Sequence, residues 1–265
     1  MTTQTTIFTP LFIAAFLLFV WNCWRRLSLV SYGSIPYRVN NLAARFKDTI
    51  TFAFAQRRVL AKPVGLIHFF IFWCFLVLVV ANGEFILHGL FPAFSFHLLS
   101  ENIRIPLLAI IDIVTLTTFL TITIAIIRRA IAPPYPEART FEAFFILSLI
   151  GTLMVASMLM NAAMVVLGEY PATAFPISKL LVTWAASGNA QGLYQFSWWL
   201  HALALLLFMN LLPLSKHFHI ITAIPNIFLR NLDHATVPQR EVFELGQTFG
   251  ADTVKGYSWK ALLDA

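Results

Sequence analysis

Long apolar stretches alternate with short clusters of charge along this chain, and five of those stretches are too long for a globular core. Ile7 to Trp24 carries no charged side chain and is stopped by Arg25 and Arg26. Val64 to Gly83 follows Lys62 and Pro63 and is also uncharged. Pro106 to Ile127 is interrupted only by Asp112, and Ala143 to Leu167 by nothing. Tyr194 to Leu214 completes the set. A hydrocarbon layer of ~30 Å needs about 20 helical residues, which each stretch supplies. The pattern predicts an all-α fold, an integral membrane bundle of five transmembrane helices.

Composition agrees and narrows the class. Of 265 residues, 59% are hydrophobic, 15% aromatic and 11% charged, less than half the charge of a soluble domain at about 25%. A disordered chain, a disulfide scaffold and a simple soluble enzyme are excluded. The net charge of +6 reads as topology. Eight Lys or Arg lie between the first two predicted spans, from Arg25 to Lys62. Arg128, Arg129 and Arg139 lie between the third and fourth, and five more follow the fifth. Only Arg104 and Lys179 fall on the other side. By the positive-inside rule the N-terminus is outside and the C-terminus cytoplasmic. No nucleic-acid partner is implied.

The first span lacks a basic start and a small-residue cleavage site, so it is expected to be a retained anchor rather than a signal peptide. The loop Glu169 to Gly192 contains Pro176 to Trp184, expected as a short interfacial helix with Trp184 as its anchor. Ala132-Pro-Pro-Tyr-Pro136 cannot prolong the third helix. Residues 1–230 are expected to form the membrane domain and 231–265 a polar cytoplasmic tail. Cys23 and Cys74 cannot ligate an iron–sulfur cluster, which needs about four cysteines, and read as small apolar residues.

Ionisable groups inside spans default to functional hypotheses. Of the seven histidines (His68, His88, His97, His201, His217, His219 and His234), three carry the pattern. His68 lies near the cytoplasmic start of the second span, His201 about two turns into the fifth from outside, and His219 at its cytoplasmic exit. His201 and His219 are 18 residues apart, five turns of one continuous helix, so both rings would face one neighbour ~27 Å apart. Antiparallel packing brings His68 level with His219, the bis-histidine arrangement of a b-type haem in a helical bundle. Zinc would want clustered ligands. The alternative is that each ring is hydrogen-bonded to a neighbour or reaches the interface. His88 has the right depth to partner His201 but the wrong angle, unless Gly83 breaks the helix. His217, two residues from His219, would face nearly the opposite way and is the alternative ligand. Met154, Met158, Met160 and Met164 could supply sulfur, although packing accounts for such a stripe.

Ser197-Trp-Trp-Leu-His201 and Pro213-Leu-Ser-Lys-His-Phe-His219 through Pro225-Asn226 resemble the last span of the di-haem cytochrome b family typified by the nitrate reductase gamma subunit. The likeness is closest to the branch coupled to heterodisulfide-reductase-like iron–sulfur proteins, including bacterial ETF:quinone oxidoreductases. Gly65-Leu-Ile-His68-Phe-Phe-Ile-Phe-Trp73 resembles its second span, and Arg128-Arg129 with Pro133 its inner loop. The resemblance implies His68 and His219 as ligands of the cytoplasm-proximal haem and His201 as a ligand of the distal one. Where the family has the distal partner, ten residues after the first ligand, this chain has Leu78. It further implies one or two b haems, menaquinone or ubiquinone as substrate, and a bacterial or archaeal cytoplasmic membrane. The partner would be a cytoplasmic iron–sulfur protein or fused ferredoxin-like domain, with ETF among the candidates. The segment 241–265 resembles the lead-in to such a module, whose cysteines this chain does not contain.

The resulting expectation is a membrane cytochrome b, part of a quinone-linked oxidoreductase, passing electrons between iron–sulfur centres and quinone. Glu84 and Asp112, near the depth of His201, are candidates to relay the protons. The alternatives are a quinol-oxidising anchor subunit and a haem-free anchor or assembly subunit.

Overall fold

In the computed structural model, five helices are long and apolar enough to cross a membrane. The described residues are 3–33, 39–133, 139–230, 232 and 259–264, and none of them is in a strand. The long helices are α1 (Thr3–Leu27), α3 (Gly65–Leu90), α4 (Glu101–Ile131), α5 (Phe141–Val166) and α7 (Ala190–Leu211). Shorter ones are α2 (Leu42–Thr49), α6 (Val182–Ala186), α8 (His219–Phe228) and α9 (Trp259–Asp264). His234, most of the tail and Pro134–Pro136 lie outside the described residues.

The spans fall where the apolar runs place them, but two details differ. Gly83 does not break its helix: α3 continues to Leu90, because a single helical glycine costs only about 1 kcal/mol. Conversely, His201 and His219 do not share one helix. α7 ends at Leu211, single 3-10 turns follow, and His219 opens α8. Pro213 cannot donate to the helical ladder, and Ser215 is extended at φ −116°, ψ 173°, its hydroxyl accepting from the His217 N–H. The five-turn alignment of the two rings is therefore corrected.

The chain forms two compact units, Met1–Phe16 with Lys62–Met209, and Leu17–Ala61 with Asn210–Ala265. In the first, α4 packs against both α3 and α5. Phe8, Phe85, Trp198, Ala202 and Leu206 make one core cluster, with the Phe8 and Trp198 rings edge to face at 5.3 Å. Gly89 lets Phe8 close in: a Cβ there would lie 2.7 Å from the ring. A second cluster joins Leu108 to Ala174 and Phe175. On α4, the Thr115, Thr118 and Thr121 hydroxyls each donate to the carbonyl four residues back, which satisfies them without water.

In the second unit α2 packs on α8. Arg45 is 1% exposed. Its guanidinium donates to the Phe228 carbonyl at 2.9 Å, the Arg230 carbonyl at 2.8 Å and the Asn40 carbonyl at 2.6 Å. It thereby serves carbonyls at the C-terminal end of α8 that no helical N–H reaches. Arg230 in turn donates to Asp48 Oδ2 at 2.8 Å. Arg45→Met keeps the stem and removes these donors. We expect exchange of the α8 amides to speed up about 100-fold, equivalent to about 3 kcal/mol, measured by hydrogen–deuterium exchange. Unchanged protection would show that these carbonyls do not depend on Arg45.

Candidate functional site: a polar cavity in the first unit

The first unit contains a partly open cavity of about 650 Å³, within the range of ~300–1,000 Å³ usual for small-molecule sites. Helical spacing builds it. Leu78, Asn82 and Phe85 recur at i, i+4, i+7 on α3, as do Tyr194, Trp198 and His201 on α7. Met154, Ser157 and Asn161 come from α5, and Gln4, Glu84, His88, His97, Glu169 and Tyr170 are among the other polar lining residues. Among the described residues, the buried Gln4 Nε2 has no hydrogen-bond partner.

His201, 4% exposed, is held through both ring nitrogens. Its Nε2 is 2.9 Å from Asn82 Oδ1. Asn82 Nδ2 donates to the Leu78 carbonyl at 2.8 Å, which turns the amide oxygen toward the ring. On the other side, Nδ1 lies 3.1 Å from Ser157 Oγ and 3.2 Å from the Leu153 carbonyl. When the ring is neutral, Nε2 donates to Asn82 and the Ser157 hydroxyl donates to Nδ1. When it is protonated, both nitrogens still meet acceptors. The setting accommodates either state, which a proton-transferring histidine needs. Phe85 packs against the ring at 4.6 Å.

The other expected residues fall in three groups. Glu84 borders the cavity and accepts from the Phe96 N–H at 3.1 Å. His88 also borders it, its Nδ1 donating to the Phe94 carbonyl at 3.3 Å. Asp112 is fully buried and does not line the cavity. It accepts from the Ile177 and Ser178 N–H groups at 2.6 and 3.0 Å, the Ser178 hydroxyl at 2.5 Å and Asn161 Nδ2 at 3.4 Å. Asp112 thus pins the segment before α6, the helix on which Trp184 stands 59% exposed.

His68 and His219 belong to different units. His68 is exposed on the first turn of α3. His219 is exposed, with Nδ1 3.0 Å from the Lys216 carbonyl. A carbonyl only accepts, so Nδ1 donates to it, as the non-ligating nitrogen of a supported metal-bound imidazole does. The His217 and His219 rings approach to 6.1 Å rather than facing opposite ways, because Lys216–Phe218 is a 3-10 turn.

Asn82, Ser157 and Tyr170 were not among the sequence candidates. A screen for ionisable groups passes over an amide and a hydroxyl. The signal was nevertheless there, since Asn82 sits one turn past Leu78, the position singled out for a missing ligand. Tyr170 stacks on His97 at 4.6 Å, and burial, with the Glu84 charge adding to it, pushes its hydroxyl up to about 12. His97 is held below the usual histidine range by partial burial and by the Arg104 guanidinium, whose Nη1 is 3.3 Å from Nδ1. An opened loop binds the proton more readily than the packed one. Its stability is therefore full above the ordinary pKa of ~6.5 and declines as pH falls through the lowered value. Exchange at the Leu98 and Leu99 amides, corrected for intrinsic rate, should accelerate between pH 7.5 and pH 5. In His97→Gln that acceleration should be absent; its persistence would assign the transition to another group.

No protein-family model matches the sequence, and no solved structure matches it. It is 26% identical over 263 residues to the EtfAB:quinone oxidoreductase of Syntrophomonas wolfei subsp. wolfei. It is 27% identical over 255 residues to the probable iron-sulfur-binding oxidoreductase FadF of Bacillus subtilis. Each alignment covers 93% of this chain and 36% of the relative, so the chain spans about a third of their length. The class defined is a helical chain with five candidate membrane spans, distantly related to oxidoreductases whose names carry quinone and iron–sulfur functions.

Proposed function

We propose that this chain is the membrane part of a quinone-linked oxidoreductase. In this reading it lies N-terminus outside and C-terminus in the cytoplasm of a bacterial or archaeal membrane, and passes electrons from an iron–sulfur protein or domain to quinone. The relative named EtfAB:quinone oxidoreductase supports ETF as the upstream donor. The observation that carries the proposal is His201, buried between acceptors on both ring nitrogens at the wall of a cavity sized for a quinone head group.

Reducing a quinone to a quinol consumes two electrons and two protons, one for each carbonyl oxygen. Glu84 borders the cavity and is assigned one of those protons. His201, whose nitrogens are both engaged, is assigned the other by way of the Ser157 hydroxyl, which it contacts through Nδ1 and which also lines the cavity. Asp112, already accepting four hydrogen bonds, acts as an anchor. Phe85 and Trp198 supply apolar and aromatic walls, and the unpartnered Gln4 Nε2 supplies a donor.

The cofactor expected from the resemblance is b-type haem, which supplies one-electron chemistry when bound. The donor chemistry of His219, with its Nδ1 proton fixed by a carbonyl, fits ligation of such a group. A second haem at His201 does not fit: both nitrogens are engaged, and Leu78 stands at the partner position on the cavity wall. A reduced-minus-oxidised spectrum tests this. We expect one b-type haem per chain, lost in His219→Ala and retained in His201→Ala. Absence of b-type absorbance would refute the haem assignment, and two haems per chain would refute the reading of His201.

A further inference from the structure

Helix α2 buries polar side chains and exposes apolar ones. Arg45 and Thr49 are 1% and 8% exposed, whereas Leu42, Phe46 and Ile50 are 56%, 60% and 63% exposed. The exposed three are spaced four residues apart, so they form a single stripe running from α2 into the following turn. The buried Arg45 fixes this orientation, because its bonds to the Phe228 and Arg230 carbonyls point the polar face inward. In water such a stripe leaves the transfer free energy of three large side chains unrealised; against acyl chains it does not.

Two further observations say what covers it. The same unit contains Trp21 and Trp24, 59% and 66% exposed, followed at once by Arg25 and Arg26. Exposed tryptophans followed by cations at the end of a span mark the headgroup level of a bilayer. Lys47, Arg57 and Arg58 are also exposed. Among the described side chains of this unit, Asp48 is the one carboxylate, and Arg230 engages it. The surface around the stripe is therefore cationic and complementary to anionic phospholipid.

We propose that α2 lies in the headgroup–acyl boundary of the membrane. Leu42, Phe46 and Ile50 insert among the acyl chains, and Lys47, Arg57 and Arg58 meet anionic headgroups. This does not depend on the electron-transfer reading.

The test uses the full chain with Cys23→Ser and Cys74→Ala, in nanodiscs of phosphatidylglycerol or of phosphatidylcholine. A nitroxide is attached at Phe46→Cys or Lys47→Cys, and its collisions with oxygen and with a water-soluble nickel chelate are measured. The expected result is oxygen-dominated relaxation at position 46 and nickel-dominated relaxation at position 47, with position 46 shallower in phosphatidylcholine. In mixed nanodiscs, Arg57→Gln and Arg58→Gln should each weaken phosphatidylglycerol enrichment about fivefold. Nickel access at position 46 equal to that at 47 would place the stripe in water and overturn the proposal. Protection of position 46 from both reagents would mean that protein covers it, with the same consequence. Equal depth and no enrichment with either lipid would overturn the headgroup assignment.

Discussion

His201→Ala should lower the rate of quinone reduction about 100-fold, the lower end of what a positioned proton donor contributes, with the protein still folded. The substitution removes the one ring in contact with Asn82, Ser157 and the Leu153 carbonyl. All three remaining groups are uncharged helix residues, so the bundle loses a hydrogen-bonding hub but gains no buried charge. The readout is turnover of reduced protein with a soluble quinone, alongside thermal unfolding and haem content. Asn82→Leu provides the comparison, since it leaves the imidazole present but frees Nε2 from its acceptor. We expect a smaller loss there, about tenfold, together with an altered pH dependence of the rate. Full activity in His201→Ala would remove this residue from the proton path.

Asp112→Ala should have the largest effect on stability, about 4 kcal/mol. It strands two backbone N–H groups, a hydroxyl and an amide inside a buried site, where each unpaired donor is costly. Asp112→Asn keeps an acceptor oxygen and should recover part of the loss. Denaturant unfolding in detergent reads the difference. Because Ile177 and Ser178 adjoin Phe175, which lines the cavity, Asp112→Ala should also weaken quinone binding without touching the site directly. An unfolding midpoint unchanged by Asp112→Ala would show that the segment is held by packing alone.

The five spans were legible because a bilayer dictates run length, and run length survives in sequence without any tertiary information. Their ends were less so. α3 runs on to Leu90 and α4 starts at Glu101, because a helix can continue into the polar layer where a hydropathy reading stops. The phase linking His201 to His219 was lost to Pro213 and the extended Ser215, two local backbone events within one turn. Asp112 stood out as a carboxylate in an apolar run. Its partners lie 65 and 66 residues further on, in a loop whose path no periodicity describes. Asn82 and Ser157 are uncharged residues that helices tolerate anywhere. Only the placement of His201 on α7 between Asn82 of α3 and Ser157 of α5 turns them into partners of an imidazole.

Photolabelling with an azido-quinone in nanodiscs, followed by peptide mapping, tests whether quinone is reduced at the cavity bordered by His201 and Glu84. Adducts are expected on α3 between Leu78 and His88 and on α7 between Tyr194 and His201, competed away by unlabelled quinone and diminished in His201→Ala. Specific, competable labelling confined to other segments would contradict it.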